Sequence, residues 1–422
     1  MSIQGELAPH VFLRSLFDRA VAVADPMRAL AAHLPARPPG RVVVIGAGKA
    51  SARMAEAVEA VWGPCEGLVI TRYGYARPCE GIEIVEAAHP VPDEAGEAAT
   101  KRMLELLKGL GEGDFVLALI SGGASSLLVQ GSEEVTLADK QAVHTALLTS
   151  GAPIGQMNIV RKHMSAVKGG KLAAAAYPAE MLSLMISDVP GDDPAQIGSG
   201  PTVGDGTAPA DARALLARWN IKVPESIRLK LMQSNTVIAP DDAGVSRVEN
   251  RVIAAPSQSL AAAAELARAK GFDVKVLGDA LEGEARVFAH EQAELALRLK
   301  SERQLGDPPL LLLSGGELTV TRTGTGVGGP NAEYCLALAM EFDGADGIYA
   351  LACDTDGVDG SAEVAGAYIA PDSLSRALAL GSDPVAALAN NDAHRFFEVL
   401  GNQVITGPTL TNVNDFRAIL IL

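Results

Sequence analysis

A chain of 422 residues is long enough for about two to three domains, and its 48% hydrophobic and 20% charged content suits folded cores rather than disorder. Its 51 acidic residues against 35 Lys and Arg leave a formal charge of −16, which argues against a polyanion partner, since nucleic acid needs a basic face. Aromatics at 4% leave no stacking platform for single strands, and no apolar run approaches the ~20 residues that span a bilayer. The start, MSIQGELAPH, lacks the basic and apolar regions of a secretory leader, so a cytoplasmic protein is expected. Cys65, Cys79, Cys335 and Cys353 form no C-x-x-C and are read as small hydrophobes.

Strand-like apolar runs alternate with helical periodicity, the pattern of an α/β protein with a mainly parallel sheet. An amphipathic lead helix is expected over 11–31. It is followed by a strand over 41–45, a helix over 49–62, and strands over 67–71 and 82–87. A helix over 93–110 leads into 115–120, apolar on both faces and so covered by helices on each side. Helical stretches continue to about 176, then a buried strand over 181–186. The polar stretch 232–250 marks a boundary, giving an N-terminal domain over 1–240 and a C-terminal one over 241–422. In the second domain, strands are expected over 251–255, 273–277, 309–313, 318–322, 348–353 and 416–422. Helices are expected over 260–270, 285–305 and 330–341. LALISGGASS (117–126) and LLLLSGGELT (310–319) echo one another, each ending a buried strand in Ser-Gly-Gly. Two α/β domains, each with a glycine turn at a strand's carboxyl end, place a ligand between them.

Several segments can carry chemistry. In VVVIGAGKAS, Gly46 and Gly48 make a tight strand-to-helix turn that holds Lys49. A structural turn, a nucleotide fold and a phosphate-binding lysine are all open for it. The dinucleotide fingerprint is incomplete, because Ser51 stands at its third glycine and the acid about twenty residues on is missing. Ser121, Gly122, Gly123 and Ser125 read either as an anion nest or as an ordinary capped turn, and Ser314, Gly315, Gly316 and Glu317 repeat the pattern. Arg161, Ser165 and Lys168 would share one helical face, with Gly169 and Gly170 closing the helix and Lys171 just past it.

Asp188, Asp192 and Asp193 follow a buried strand and could ligate a hard cation, and Ser199 in Gly-Ser-Gly-Pro-Thr could meet an oxyanion. The plainer alternative is an acidic Pro-Gly turn. DTDGVDG (354–360) is not an EF-hand, because Val358, Asp359 and Ala365 occupy required loop positions. Asp354 and Asp356 remain candidates for Mg²⁺ with phosphates, or else cap their own turn. His89 precedes Pro at a strand end and is structural or functional.

Taken together, GAGKAS (46–51), EAAHPVPD (86–93), ISGGASSLL (120–128), NIVRKHMSAVKGGKLA (158–173), SDVPGDDPAQIGSGPTV (187–203), LLSGGELTV (312–320), GGPNAEY (328–334), DTDGVDGSAEVAGA (354–367) and GPTLTNVNDF (407–416) resemble the glycerate 2-kinase family of GckA/TtuD architecture. Its members carry a C-terminal MOFRL domain and are often labelled hydroxypyruvate reductase. The resemblance implies a larger Rossmann-like doubly wound N-terminal domain and a smaller MOFRL-type α/β domain, with the active site in the cleft between them. It implies ATP- and Mg²⁺-dependent phosphorylation of D-glycerate at the 2-hydroxyl. The alternatives are NAD(P)H-dependent hydroxypyruvate reduction and a non-catalytic sugar-acid binding protein.

By resemblance Lys49 is the active-site lysine. Asp188 and Arg161 join it as catalytic residues, with Arg161 or Lys168 facing the substrate carboxylate. Gly46, Gly48, the two Ser-Gly-Gly segments, Ser125, Glu317 and Asn331 are assigned to nucleotide. His89, Lys168 and Ser199 are assigned to substrate, and Asp354 and Asp356 to metal. Relatives often carry Arg in the segment that reads GVGGPN (326–331) here, at the positions of Val327 or Pro330, which leaves Arg322 or Arg161 as the substitute. Glycerate and nucleotide are the expected partners, with neither nucleic acid nor membrane, and a homodimer is the oligomer to test.

Overall fold

The computed structural model describes residues 8–132, 135–234 and 236–422. The start of the segment read for a leader, and residue 235 within the polar boundary stretch, lie outside them. The strands are β1 (Val42–Ala47), β2 (Glu66–Arg72), β3 (Ile82–Ala87), β4 (Phe115–Ile120), β5 (Glu180–Ile186) and β6 (Val248–Ala254), then β7 (Asp273–Glu284), β8 (Leu310–Thr319), β9 (Ile348–Asp354), β10 (Gly366–Ile369), β11 (Gln403–Val404) and β12 (Asp415–Ile421). They form two six-stranded sheets, ordered β3-β2-β1-β4-β5-β6 and β11-β10-β9-β12-β8-β7.

The chain divides into a unit of residues 26–253 and a unit that joins residues 1–25 to 254–422. This differs from the division at 240 read from the polar stretch. β6 begins at the end of that stretch, beyond residue 240, yet completes the first sheet. The lead helix, Pro9–Ala24, buries Phe12, Leu13, Leu16, Phe17 and Ala20 in a core with Leu311, Leu313, Phe416 and Leu420, and so belongs to the second unit. Its end at Ala24, short of the expected 31, is set by Pro26, because the residue before a proline is pushed out of the helical region.

In the first sheet β2–β3, β1–β2, β1–β4 and β4–β5 all pair in parallel. Apolar strands buried on both faces are what a sheet covered by crossover helices requires. The second sheet corrects the expectation of a parallel sheet: β10–β11, β9–β10, β9–β12 and β8–β12 are antiparallel, and β7–β8 is parallel. Its strands are still two-sided. Leu310 and Leu312 face a core with Phe288, Leu336 and Phe397, and Leu311 and Leu313 face the lead helix. Two-sided apolarity reports burial, not strand direction.

Candidate active site

In a doubly wound sheet, ligands bind outside the carboxyl ends of the strands where the strand order reverses. The order 3-2-1-4-5-6 puts that reversal between β1 and β4, whose register runs to Ala47 opposite Ile120. The turn holding Lys49 and the turn holding Ser121 are therefore side by side. They interlock: the Lys49 amide donates to the Gly122 carbonyl at 2.8 Å and the Ala50 amide to Ser121 Oγ at 3.0 Å. Ser51 Oγ donates to the Leu119 carbonyl at 2.9 Å and lies 3.0 Å from Ser121 Oγ. A Cβ on Gly48, whose φ is +142°, would stand 2.0 Å from Ser121 Oγ, so only glycine allows this approach.

The consequence for chemistry is direct. The Gly48, Lys49 and Ala50 amides, which a dinucleotide site would aim at a pyrophosphate, are spent on Ile70, Gly122 and Ser121. What the turn presents instead is a side chain. A Cβ on Gly123 would lie 3.3 Å from Lys49 Cγ and 3.2 Å from His89 Nε2, so the bare backbone of Gly123 (φ +83°) seats Lys49 and His89 together against the second turn.

From that turn a polar chain runs inward. Ser125 Oγ is 2.7 Å from Ser199 Oγ, and Ser199 Oγ donates to Asn158 Oδ1 at 3.1 Å. Arg161 Nη1 donates to the same Asn158 oxygen at 3.2 Å, and Arg161 Nη2 lies 3.4 Å from His144 Nδ1. Ser199 holds its hydroxyl there from a left-handed backbone, φ +65°, a conformation that costs a non-glycine residue roughly 1 kcal/mol.

The buried charges around this chain are mostly cationic, with Glu97 acting on Lys140 and Asp205 on Lys171. Lys140, Arg161 and Lys168 are buried, and so is most of Lys171. Burial, then mutual repulsion, lowers Lys168 well below its usual range. Burial lowers Arg161 to about 10 and Lys171 to about 7. Burial is also the main cause that brings His144 to about 4, with Arg161 adding to it, so its imidazole is neutral near pH 7. Lys162 is the member with a carboxylate, pairing with Asp205 at 2.6 Å.

The single helical face expected for Arg161, Ser165 and Lys168 does not exist. The helix ends at His163, and Gly170, in the left-handed region, opens the next one, Lys171–Ala176, rather than closing the first. Lys168 joins the group through its tertiary position, with Nζ donating to the Leu128 carbonyl at 2.6 Å. Asp188 lies just beyond β5, next to β4, at the same sheet edge. In the same loop Asp192 Oδ1 is buried without a hydrogen-bond partner among the described residues.

Lys140 and His144 were not singled out from the sequence. The signal was present in the helix Leu137–Ser150, where Lys140 shares its buried face with Val143 and Leu147 at helical spacing. A lysine on an apolar stripe is the feature to look for.

Other expected site residues lie in the second unit and have different surroundings. Ser314, Gly315, Gly316 and Glu317 do not form a turn: β8 runs through them, and Ser314, Gly315 and Gly316 pair with Arg417, Phe416 and Asp415. Gly316, at φ +111°, accommodates a register shift against β7, so the glycines serve a bulge. The Asn331 side chain donates to Asp359 at 3.3 Å and to Asp415 at 2.7 Å, and its amide is capped by Asp359. Asp354 and Asp356 each accept the amide two residues on, at 2.9 and 2.8 Å, the capping alternative. Arg322 is exposed and donates to the carbonyls of its own loop at Gly324 and Gly326. Among the described residues, no group of three or more His, Cys, Asp or Glu is placed to hold a metal, and no helix is long and apolar enough to cross a membrane.

A doubly wound sheet with lysine, arginine and paired hydroxyls at its carboxyl edge defines an α/β enzyme that acts on anions. Comparison with known proteins narrows the class. Residues 12–232 match the family described as Domain of unknown function (DUF4147), and residues 310–415 match the MOFRL family. The chain is 53% identical, over 97% of its length and 94% of the relative's, to an Agrobacterium vitis protein that carries the name hydroxypyruvate reductase. It is 37% identical to the D-glycerate 2-kinase of Thermotoga maritima, over 96% of this chain and 97% of that one. The crystal structure of a Thermotoga maritima glycerate kinase superposes with a TM-score of 0.86 at 36% identity, covering 98% of this chain and 99% of the other. The chain belongs to the glycerate 2-kinase family.

Proposed function

We propose that the protein transfers the γ-phosphoryl group of ATP, with Mg²⁺, to the 2-hydroxyl of D-glycerate, giving 2-phosphoglycerate and ADP. The observation that carries this reading is the seating of Lys49 and His89 against Gly123, with Ser125, Ser199 and Asn158 linking that turn to Arg161. A phosphoryl donor needs a cation at one end, and a hydroxy acid needs one at the other. Lys49 supplies a point charge for the transferring group, the part a lysine plays best on phosphate. Arg161 offers the carboxylate a planar donor fork. His89, Ser199 and Lys168 complete the substrate side, and Ser121, Gly122, Gly123 and Ser125 line the phosphate side.

Asp188 orients the 2-hydroxyl and accepts its proton, as a carboxylate does in other kinases. Asp192, with its unpartnered carboxylate oxygen, fits a hard cation carried in with the nucleotide. Bound there, Mg²⁺ would neutralise charge on the phosphates.

The name on the Agrobacterium relative keeps a reductase as the rival reading. The spent amides at Gly48, Lys49 and Ala50 count against it. Incubation with ATP, Mg²⁺ and D-glycerate, followed by phosphorus NMR of the product, separates them. Glycerate-dependent ADP and a 2-phosphate are expected. Oxidation of NADH or NADPH by hydroxypyruvate, with no ADP formed in the first assay, reverses the assignment.

A further inference from the structure

A charge buried in a protein is ordinarily neutralised by an opposite charge, because desolvation alone costs several kcal/mol per ion. Lys140, Arg161 and Lys168 are 5%, 7% and 1% exposed. Among the described residues their hydrogen bonds are all with neutral groups, and the favourable charge nearest them is Glu97, which acts on Lys140 without bonding to it. Lys140 Nζ donates to the Gln130 carbonyl at 3.3 Å and Lys168 Nζ to the Leu128 carbonyl at 2.6 Å. Arg161 donates to the amide oxygen of Asn158 at 3.2 Å and meets the His144 ring at 3.4 Å. Carbonyls and a neutral imidazole orient these side chains without supplying a counter-charge, and burial weakens the hold of both lysines on their protons. Among the described residues, Arg161 Nε and His144 Nε2 are buried with no hydrogen-bond partner.

We infer that Arg161, Lys140 and Lys168 form a preformed cationic site for the carboxylate of the acceptor, and that His144 is the positioning residue that holds the guanidinium while leaving it uncommitted. The kinase reading supplies only the identity of the anion; the site stands on the burial and the neutral contacts. A carboxylate suits it better than the transferring phosphate, since Lys49 serves that end and a guanidinium fork matches two carboxylate oxygens. Glycerol, the uncharged analogue of glycerate, gives this cluster no anion to pair with and is rejected by it.

The decisive variant supplies the missing charge from inside. In His144→Asp a carboxylate stands beside Arg161, so the fold keeps or gains stability while the site is filled. The melting temperature should hold or rise. D-glycerate, which raises it in the natural protein, should no longer do so. KM for D-glycerate should increase at least ~10-fold, the scale of one charge-assisted hydrogen bond, with KM for ATP within about twofold. His144→Asn keeps a neutral acceptor and should restore glycerate binding.

Melting curves with D-glycerate, inorganic phosphate or glycerol distinguish the ligands. Stabilisation by glycerate that Arg161→Met abolishes supports the site even if the protein proves not to be a kinase. Stabilisation by phosphate but not by glycerate overturns the carboxylate assignment. Unaltered glycerate binding in His144→Asp overturns the proposal, as does a parallel loss of stability and affinity in both His144 variants.

Discussion

The two units differ in how they treat buried charge, although the first also closes one buried pair, Lys162 with Asp205. In the unit containing residues 254–422, the buried carboxylates Asp359, Asp415 and Glu333 each close on a side-chain partner. Asp359 meets His394 Nε2 at 3.0 Å and accepts the amides of Asn331 and Ala332. Asp415 pairs with Arg417 at 2.9 Å, and Glu333 with Arg286 at 2.7 Å. Asn331 ties Asp359 to Asp415. In the unit of residues 26–253, Lys140, Arg161 and Lys168 rest against neutral oxygens and an imidazole. A closed ion pair is architecture, and its removal costs stability. Open cations are stability forgone, a cost that the inferred carboxylate would offset.

That contrast can be broken most forcefully at Asp359. Asp359→Ala removes the partner of His394 and the cap of the helix Pro330–Phe342, so a loss of about 3–5 kcal/mol is expected, read as a lowered urea midpoint. A small loss would mean that the pairing in this unit is incidental. Next comes Lys49→Ala, for which turnover should fall at least ~10²-fold with melting unchanged, the scale of one oriented charge on a transferring group. Near-normal turnover removes Lys49 from the mechanism.

Arg161→Met sharpens the contrast by its sign. Replacing an uncompensated buried cation with an apolar side chain should leave stability unchanged or raise it by about 1 kcal/mol, while D-glycerate no longer shifts the melting curve. A clear destabilisation would show that Arg161 is architectural after all.

Lys171 gives a pH signature of the same kind. Its ammonium is lowered from the ordinary 10.5 to about 7, mainly by burial. Between those values the unfolded chain holds the proton and the folded one does not. Stability therefore rises as pH rises through 7 towards 10.5, and the penalty is complete below 7. Lys171→Met should flatten that rise in urea midpoints taken across this range; an unchanged slope would assign it elsewhere. The smallest effect is expected at Asp356→Asn. With Asp356 Oδ1 holding the Val358 amide, a melting shift of about 1 kcal/mol equivalent and an unchanged Mg²⁺ dependence are expected. Weaker apparent Mg²⁺ affinity at constant melting would return this loop to the metal.

Much of this organisation was legible beforehand. The strands over 82–87 and 115–120 lie where their apolar runs place them, and the Gly46-x-Gly48 turn sits between a strand and a helix as its residues require. Lys49, His89, Ser125, Ser199 and Arg161, chosen from separate motifs, meet at one edge of the sheet or are linked to it. The echo between the two Ser-Gly-Gly segments misled. At 121–123 the chain turns, and at 314–316 the same residues continue a strand because Arg417, Phe416 and Asp415 pair with them.

The sequence alone determined the local choices: which runs are extended, which are helical, where a glycine must turn, and which family the ordered motifs resemble. These follow from φ/ψ preference and side-chain period, which need only near neighbours. Tertiary structure alone decided that β6 and the lead helix change sides of the expected boundary, that the second sheet is largely antiparallel, and that Lys140 and His144 stand beside Arg161. The reason is that the solvation and pairing of a charge depend on groups brought in from far along the chain. Asn331 meets Asp415 and Ser125 meets Ser199 only in the fold, and no local pattern records whether the partner that arrives will be a charge or a neutral oxygen.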